Sequence, residues 1–201
     1  MCGKYYKDRE FIPRLNTLFS EEDIYPDEGL VMEQDGEPDV SPTDRSVIIH
    51  MSGDNVTASD MEWGFRDPYH DSLVINARAE SLFEKKMFSE SVQKRRCLIP
   101  ASGYYEWDSA KARYRFSASD GELILLAGLY RQELGKEHYT IITTEANDCM
   151  ASVHPRMPLM IDKSEIRKWL TDNDFVREAL TRRQEELKRA QDAGQISMGI
   201  F

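Results

Sequence analysis

The run RCLIPASGYYEWDSAKARYRFSASDGELILLAGLY, residues 96–130, decides the fold class. It contains apolar, aromatic and β-branched segments of strand length at 96–99, 103–108, 112–118 and 122–130. Asp120-Gly121, between the last two, supplies the residues of a tight hairpin turn. Strands this short, joined by turns rather than helices, build a mostly antiparallel sheet.

Outward from this run the same texture continues. Further strands are predicted at 46–51, 58–65, 72–77 and 137–144, with a short helix over 79–92. Before them, Phe11, Leu15 and Leu18 at helical spacing predict a helix over 7–19. Residues 20–45, rich in Glu, Asp, Pro and Gly, read as a long loop. Beyond Leu159 the pattern turns helical. One capped helix is predicted around Ser164, Arg167, Trp169 and Leu170, and a second over 173–191, its last two turns almost entirely charged. The expectation is one α+β domain, residues 1–201, with a strand-rich, mostly antiparallel, barrel-like core and flanking helices.

A chain of 201 residues that is 40% hydrophobic and 31% charged has the composition of an ordinary globular protein. No apolar run approaches the roughly 18 residues of a membrane span, and the first residues lack the pattern of a secretory signal. A cytoplasmic protein with no membrane partner is expected. Three cysteines and four scattered histidines lack ligand-like spacing, so neither a disulfide framework nor a metal site is expected, and no cofactor. A net charge of −10 excludes a surface that grips nucleic acid everywhere, but not a local basic channel. Lys94, Arg95 and Arg96, and then Lys111, Arg113 and Arg115, are its candidate sources.

The chemistry begins at Met1-Cys2-Gly3. Loss of Met1 leaves an amine and a thiol on adjacent carbons, a pairing open only to an N-terminal cysteine. An α-amine has a pKa of roughly 7.7–8.0, so a useful fraction is neutral and nucleophilic near pH 7. Such an aminothiol condenses with an aldehyde to an imine and then closes a thiazolidine ring. Asn76-Ala77-Arg78, at a strand end, is suited to orienting a substrate and holding a phosphate. Glu106 lies among aromatics, where burial raises a carboxyl pKa and fits it for proton transfer. His154-Pro155-Arg156-Met157-Pro158 is a stiffened loop that fixes a histidine and an arginine.

Cys2-Gly3, Trp63-Gly64, Asn76-Ala77-Arg78-x-Glu80, the block from Arg96 to Trp107 and His154-x-Arg156-Met157-Pro158 occur in an order that resembles the SOS response-associated peptidase family. The resemblance runs from residue 2 to about residue 170. It implies a protein that bonds covalently, as a monomer, to the aldehyde of an abasic site in single-stranded DNA and shields it. Carried over, Cys2 is the nucleophile, Asn76 positions the linkage, Glu106 moves protons around amine and imine, and His154 assists ring opening and reversal. Lys4, Arg78 and Arg156 become phosphate ligands, and Trp63 and Trp107 stack bases or wall the channel. The resemblance also implies autoproteolytic removal of Met1. Lys4 stands where the family commonly has arginine, and the predicted charged helix over 173–191 stands where it commonly has a strand. Two other readings remain open: a thiol peptidase or amidase using Cys2, and a module that binds single strands without bonding to them.

Overall fold

A computed structural model describes residues 2–30, 39–67 and 69–191. The chain opens with β1 (Tyr5–Tyr6), α1 (Phe11–Glu21), β2 (Ile24–Pro26) and β3 (Asp39–Val40). Then come β4 (Arg45–Ser52), β5 (Asn55–Trp63), β6 (Phe65–Arg66), β7 (Leu73–Val74) and β8 (Asn76–Arg78). Two single-turn helices follow, α2 (Lys86–Ser89) and α3 (Ser91–Lys94), where one helix over 79–92 was expected. The strands β9 (Arg96–Ala101), β10 (Gly103–Trp107), β11 (Arg113–Ser117), β12 (Ile124–Glu133) and β13 (Lys136–Glu145) match the expected series. The chain ends with α4 (Asp148–Ala151), β14 (Arg156–Pro158), α5 (Ile166–Thr171), α6 (Asn173–Thr181) and β15 (Lys188–Gln191).

Strands β4, β5, β13, β12 and β9 close a five-stranded barrel, antiparallel at every joint except the parallel pairing of β5 with β13. Its interior is filled by Ile48, Met61, Trp63, Ile99, Leu126, Tyr139 and Ile141. The outer wall is covered by α1, through Phe11, Leu15 and Leu18, and by α5 and α6, through Trp169, Leu170, Val176 and Leu180. A second sheet, in the order β15-β11-β10-β1-β3, lies beside the barrel.

The run 96–130 therefore serves both sheets, with β9 and β12 in the barrel and β10 and β11 outside it. Asp120-Gly121 does turn the chain, with Gly121 at φ +84°, but it joins no hairpin. Ile124 pairs with Ala101 of β9 instead. The six residues Ile124–Leu129 are buried on both faces, which suits a barrel wall, while β11 keeps an exposed face. The crossover between sheets depends on Gly103. A Cβ there would sit 2.2 Å from the Phe116 carbonyl oxygen and 2.5 Å from the Tyr6 hydroxyl. Gly103→Ala is expected to cost about 2 kcal/mol and to lower Tm by roughly 5 °C, checked by thermal unfolding.

Two expectations need correction. The helix predicted over 173–191 ends at Thr181, and Lys188–Gln191 form the edge strand β15 on β11. The exit is fixed by Gln184, whose Oε1 accepts from the Met160 N–H at 2.7 Å, and by Asn147, whose Nδ2 donates to the Glu185 carbonyl at 2.6 Å. Backbone pairing with an open sheet edge here overrides the helix propensity of a Lys- and Arg-rich segment. Arg96, grouped above with surface cations, is buried. Its guanidinium donates to the carbonyls of Trp169, Val92 and Leu170 and to Asn173 Oδ1, capping the carboxyl ends of α3 and α5.

Candidate active site

Cys2 lies where the second sheet meets the barrel. Tyr5 pairs with Tyr104, and the Tyr105 N–H donates to the Lys4 carbonyl at 3.0 Å, so the first residues run out along β10 toward Glu106. From the barrel side, Asn76 Nδ2 donates to the Cys2 carbonyl at 2.9 Å. Asn76 begins β8, which is held in parallel register against β13, Asn76 opposite Ile141. Its Oδ1 is buried and makes no hydrogen bond among the described residues, leaving an acceptor for a substrate hydroxyl or an amine.

Alternation along Gly103–Trp107 turns Tyr104 and Glu106 inward and Tyr105 and Trp107 outward. Glu106 is 3% exposed and Cys2 fully buried. Burial first, and then the negative charge of Glu106, push the Cys2 thiol well above its ordinary pKa. Tyr104 is raised by burial and then by the same two neighbours, Cys2 and Glu106. Its hydroxyl donates to the Met150 sulfur at 3.9 Å.

Met150 ties in the histidine loop. Asn147 caps α4 by accepting from the Met150 N–H, and the His154 N–H donates to the Met150 carbonyl at 3.0 Å. His154 Nδ1 stands 3.0 Å from the Arg156 N–H and 3.1 Å from the Arg156 carbonyl. The Arg156 backbone thus meets Nδ1 in either tautomer and fixes the orientation of the ring.

The structure thus brings Cys2, Asn76 and Glu106 together, with His154 joined to them through Met150 and Tyr104. Arg156 and Arg78 converge on Thr143: the Arg156 guanidinium donates to its carbonyl at 2.6 Å, and Arg78 is its register partner. Arg156 is also held bidentate by Glu80 at 2.6 and 3.0 Å. This contact holds the Glu80 carboxyl below the usual range, with Arg78 adding a smaller pull. Lys4 is paired with Asp39 at 3.2 Å.

Of the two tryptophans expected at the site, Trp63 and Trp107, only Trp107 is placed to meet a base, at 39% exposed. Trp63 is fully buried, its ring 5.3 Å from Tyr5 and 6.1 Å from Tyr139. At zero exposure it meets no base here, and of its two expected roles only that of a wall remains. Its indole N–H donates to the Ile75 carbonyl at 3.0 Å, fixing the residue before Asn76 from within the barrel. Tyr104, which the reading as a single-strand-binding module would use to stack a base, is instead fully buried on the inward face of β10 with Glu106. Among the described residues, no cluster of three His, Cys, Asp or Glu is arranged to hold a metal.

The sequence profile of the SOS response associated peptidase family matches residues 1–197. The chain belongs to that family. Among relatives in the family, the abasic site processing protein YoqW of Bacillus subtilis is 31% identical over 90% of this chain and 86% of its own length. The abasic site processing protein YedK of Escherichia coli is 25% identical over 89% of this chain and 83% of its own. A crystal structure of a protein from Bordetella bronchiseptica superposes with a TM-score of 0.75, covering 95% of this chain and 99% of that one at 24% identity. The barrel and its flanking sheet are thus a fold shared with that protein.

Proposed function

We propose that this protein processes abasic sites in single-stranded DNA, as a monomer, by bonding to them through Cys2 once Met1 has been removed. The observation that carries this reading is the Asn76 amide bound to the Cys2 carbonyl, with Glu106 buried on the other side. The α-amine attacks the aldehyde carbon of the opened sugar, and water leaves to give an imine. The sulfur then adds to the imine carbon, and the thiol proton passes to nitrogen. One water is lost overall, and the product is a thiazolidine. Glu106 is placed to carry protons in both steps, and His154 to assist opening of the sugar and the reverse reaction. Arg78 and Arg156 hold flanking phosphates, the latter by exchanging Glu80 for a phosphate oxygen, a bidentate partner of equal geometry.

With Met1 still attached, burial and then Glu106 raise the Cys2 thiol, the opposite of what a peptidase reading needs. A cysteine peptidase attacks as thiolate and lowers its pKa to do so. In the proposed order the amine leads, and the thiol follows and delivers its own proton. The test is intact mass spectrometry of the mature protein after incubation with an abasic single strand. The expected adduct is the sum of the two masses less one water, stable to denaturation and absent with an intact strand. Turnover of peptides without DNA and without an adduct would overturn the proposal.

A further inference from the structure

The stretch Glu185–Arg189 does more than lead into an edge strand, because it is laced to α4, the single turn that precedes His154. At the start of α4, the Asn147 side chain accepts from the Met150 N–H and donates to the Glu185 carbonyl. Midway, the Cys149 thiol donates to the Leu187 carbonyl at 3.1 Å. At the end, the Arg189 guanidinium donates to the Cys149 carbonyl at 3.2 Å and to the Ser152 hydroxyl at 2.7 Å. The register of β15, with Arg189 opposite Phe116, puts Arg189 at the edge of the inward face of the second sheet, the face of Tyr104 and Glu106.

We infer that Arg189 is a positioning residue for His154, acting from the second sheet through the carboxyl end of α4. The inference rests on the reading of Cys2 and His154 given above. A helix of four residues is too short to hold its shape by its own hydrogen bonds, so its place is set by what grips it. A helix also leaves its last carbonyls without donors of its own, and Arg189 supplies one to Cys149. The histidine takes its place from that turn, since the Val153 and His154 N–H groups both donate to the Met150 carbonyl, at 2.8 and 3.0 Å. The Arg156 backbone orients the ring, and Arg189 holds the turn from which the ring's loop departs.

The Arg189 guanidinium also lies 5.8 Å over the ring of Tyr114, which stands opposite Glu106 in the sheet. A guanidinium resting on an aromatic ring loses little further freedom when it donates. One side chain thus links the strand beside Glu106 to the loop of His154, and ties both proton-handling groups to one frame. The neighbouring pair of Arg183 with Asp148 differs. Its side chains are 70% and 82% exposed, and such a pair contributes little.

The experiment compares the full-length mature protein with Arg189→Gln, Ser152→Ala and their combination. The control, Arg183→Gln, removes the same charge from the same stretch of chain. Adduct formation is timed on a strand with an ordinary abasic site, whose sugar must open, and on one carrying an acyclic aldehyde, which needs no opening. Reversal is timed on the purified adducts. Arg189→Gln should slow formation on the ordinary site, and reversal, by about tenfold, below the roughly hundredfold that an ångström of misplacement can cost. Formation on the acyclic aldehyde and affinity for intact strands should stay parental, as should every rate of the control. Ser152→Ala should show part of the same loss, and the double variant should be no slower than Arg189→Gln, because the two groups share one contact. Parental rates in a folded Arg189→Gln, or equal slowing on both strands, would overturn the inference. Should Arg189→Gln not fold, the exposed Ser152→Ala decides by the same comparison. If the parent forms no adduct with either strand, the reading of Cys2 fails. The nuclear magnetic resonance signal of the His154 ring then judges the positioning, which a signal unchanged by Arg189→Gln would refute.

Discussion

Cys2→Ala is expected to abolish the denaturation-resistant DNA adduct while leaving the fold and strand affinity intact. The substitution removes sulfur alone. Once Met1 is cleaved, alanine still presents an α-amine with a pKa of roughly 7.7–8.0. The imine can therefore still form, but nothing closes on it, and water returns it to aldehyde. A hydride reductant present during incubation should trap this imine in Cys2→Ala as a stable secondary amine. Extending the chain before Cys2 by an uncleaved tag gives the complementary result. The thiol is present, the nitrogen is an amide, and no adduct forms with or without reductant. Adduct formation by the tagged protein would sink the proposed chemistry, because no sulfur-only product of an aldehyde survives denaturation. Removing the thiol should do little harm to the core, since serial burial around Tyr5, Tyr104 and Met150 is supplied by much larger side chains.

Much of the fold was legible because barrel strands announce themselves. The all-buried runs of β9 and of Ile124–Leu129 in β12, and the partly exposed β11, differ in sequence as they differ in place. Pairing was less legible. Asp120-Gly121 has the chemistry of a turn, but a turn does not say which sheet the next strand joins, and burial on both faces sent β12 to the barrel. Lys188–Gln191 were illegible as a strand because every side chain there is exposed, so no apolar pattern marks them, and backbone pairing with the contacts of Arg189 holds them.

The site divides in the same way. Cys2, Asn76 and Glu106 were found by the chemistry that their side chains offer, and the structure gathers them. Trp63 kept two readings in the sequence because an aromatic in a motif looks the same whether it meets a base or packs a barrel. Burial alone separates the two, and Trp63 lies at zero exposure where Trp107 lies at 39%. Arg156 was read as free to bind phosphate, and its bidentate contact with Glu80 lies across a sequence gap that no local pattern reveals.

Glu106→Gln should slow adduct formation by about a hundredfold, the lower end of what a positioned acid–base group contributes. Glutamine keeps the size of the side chain and its hydrogen-bonding oxygen, so a purely structural role predicts almost no change. The second effect has the opposite sign. The Glu106 charge is the second cause, after burial, of the raised Cys2 thiol. Its loss lowers the thiol pKa, so a larger fraction is thiolate at any pH below the parent's midpoint. Alkylation of Cys2 at one alkaline pH, read by peptide mass, should therefore run faster in Glu106→Gln. The variant would hold a more readily ionised sulfur and yet form the adduct more slowly. That combination separates proton transfer from thiolate supply. If the variant instead crosslinks faster in step with its thiolate fraction, sulfur attack limits the reaction and Glu106 is not its proton carrier. If alkylation and adduct formation both keep their parental rates, Glu106 neither charges the site nor serves it.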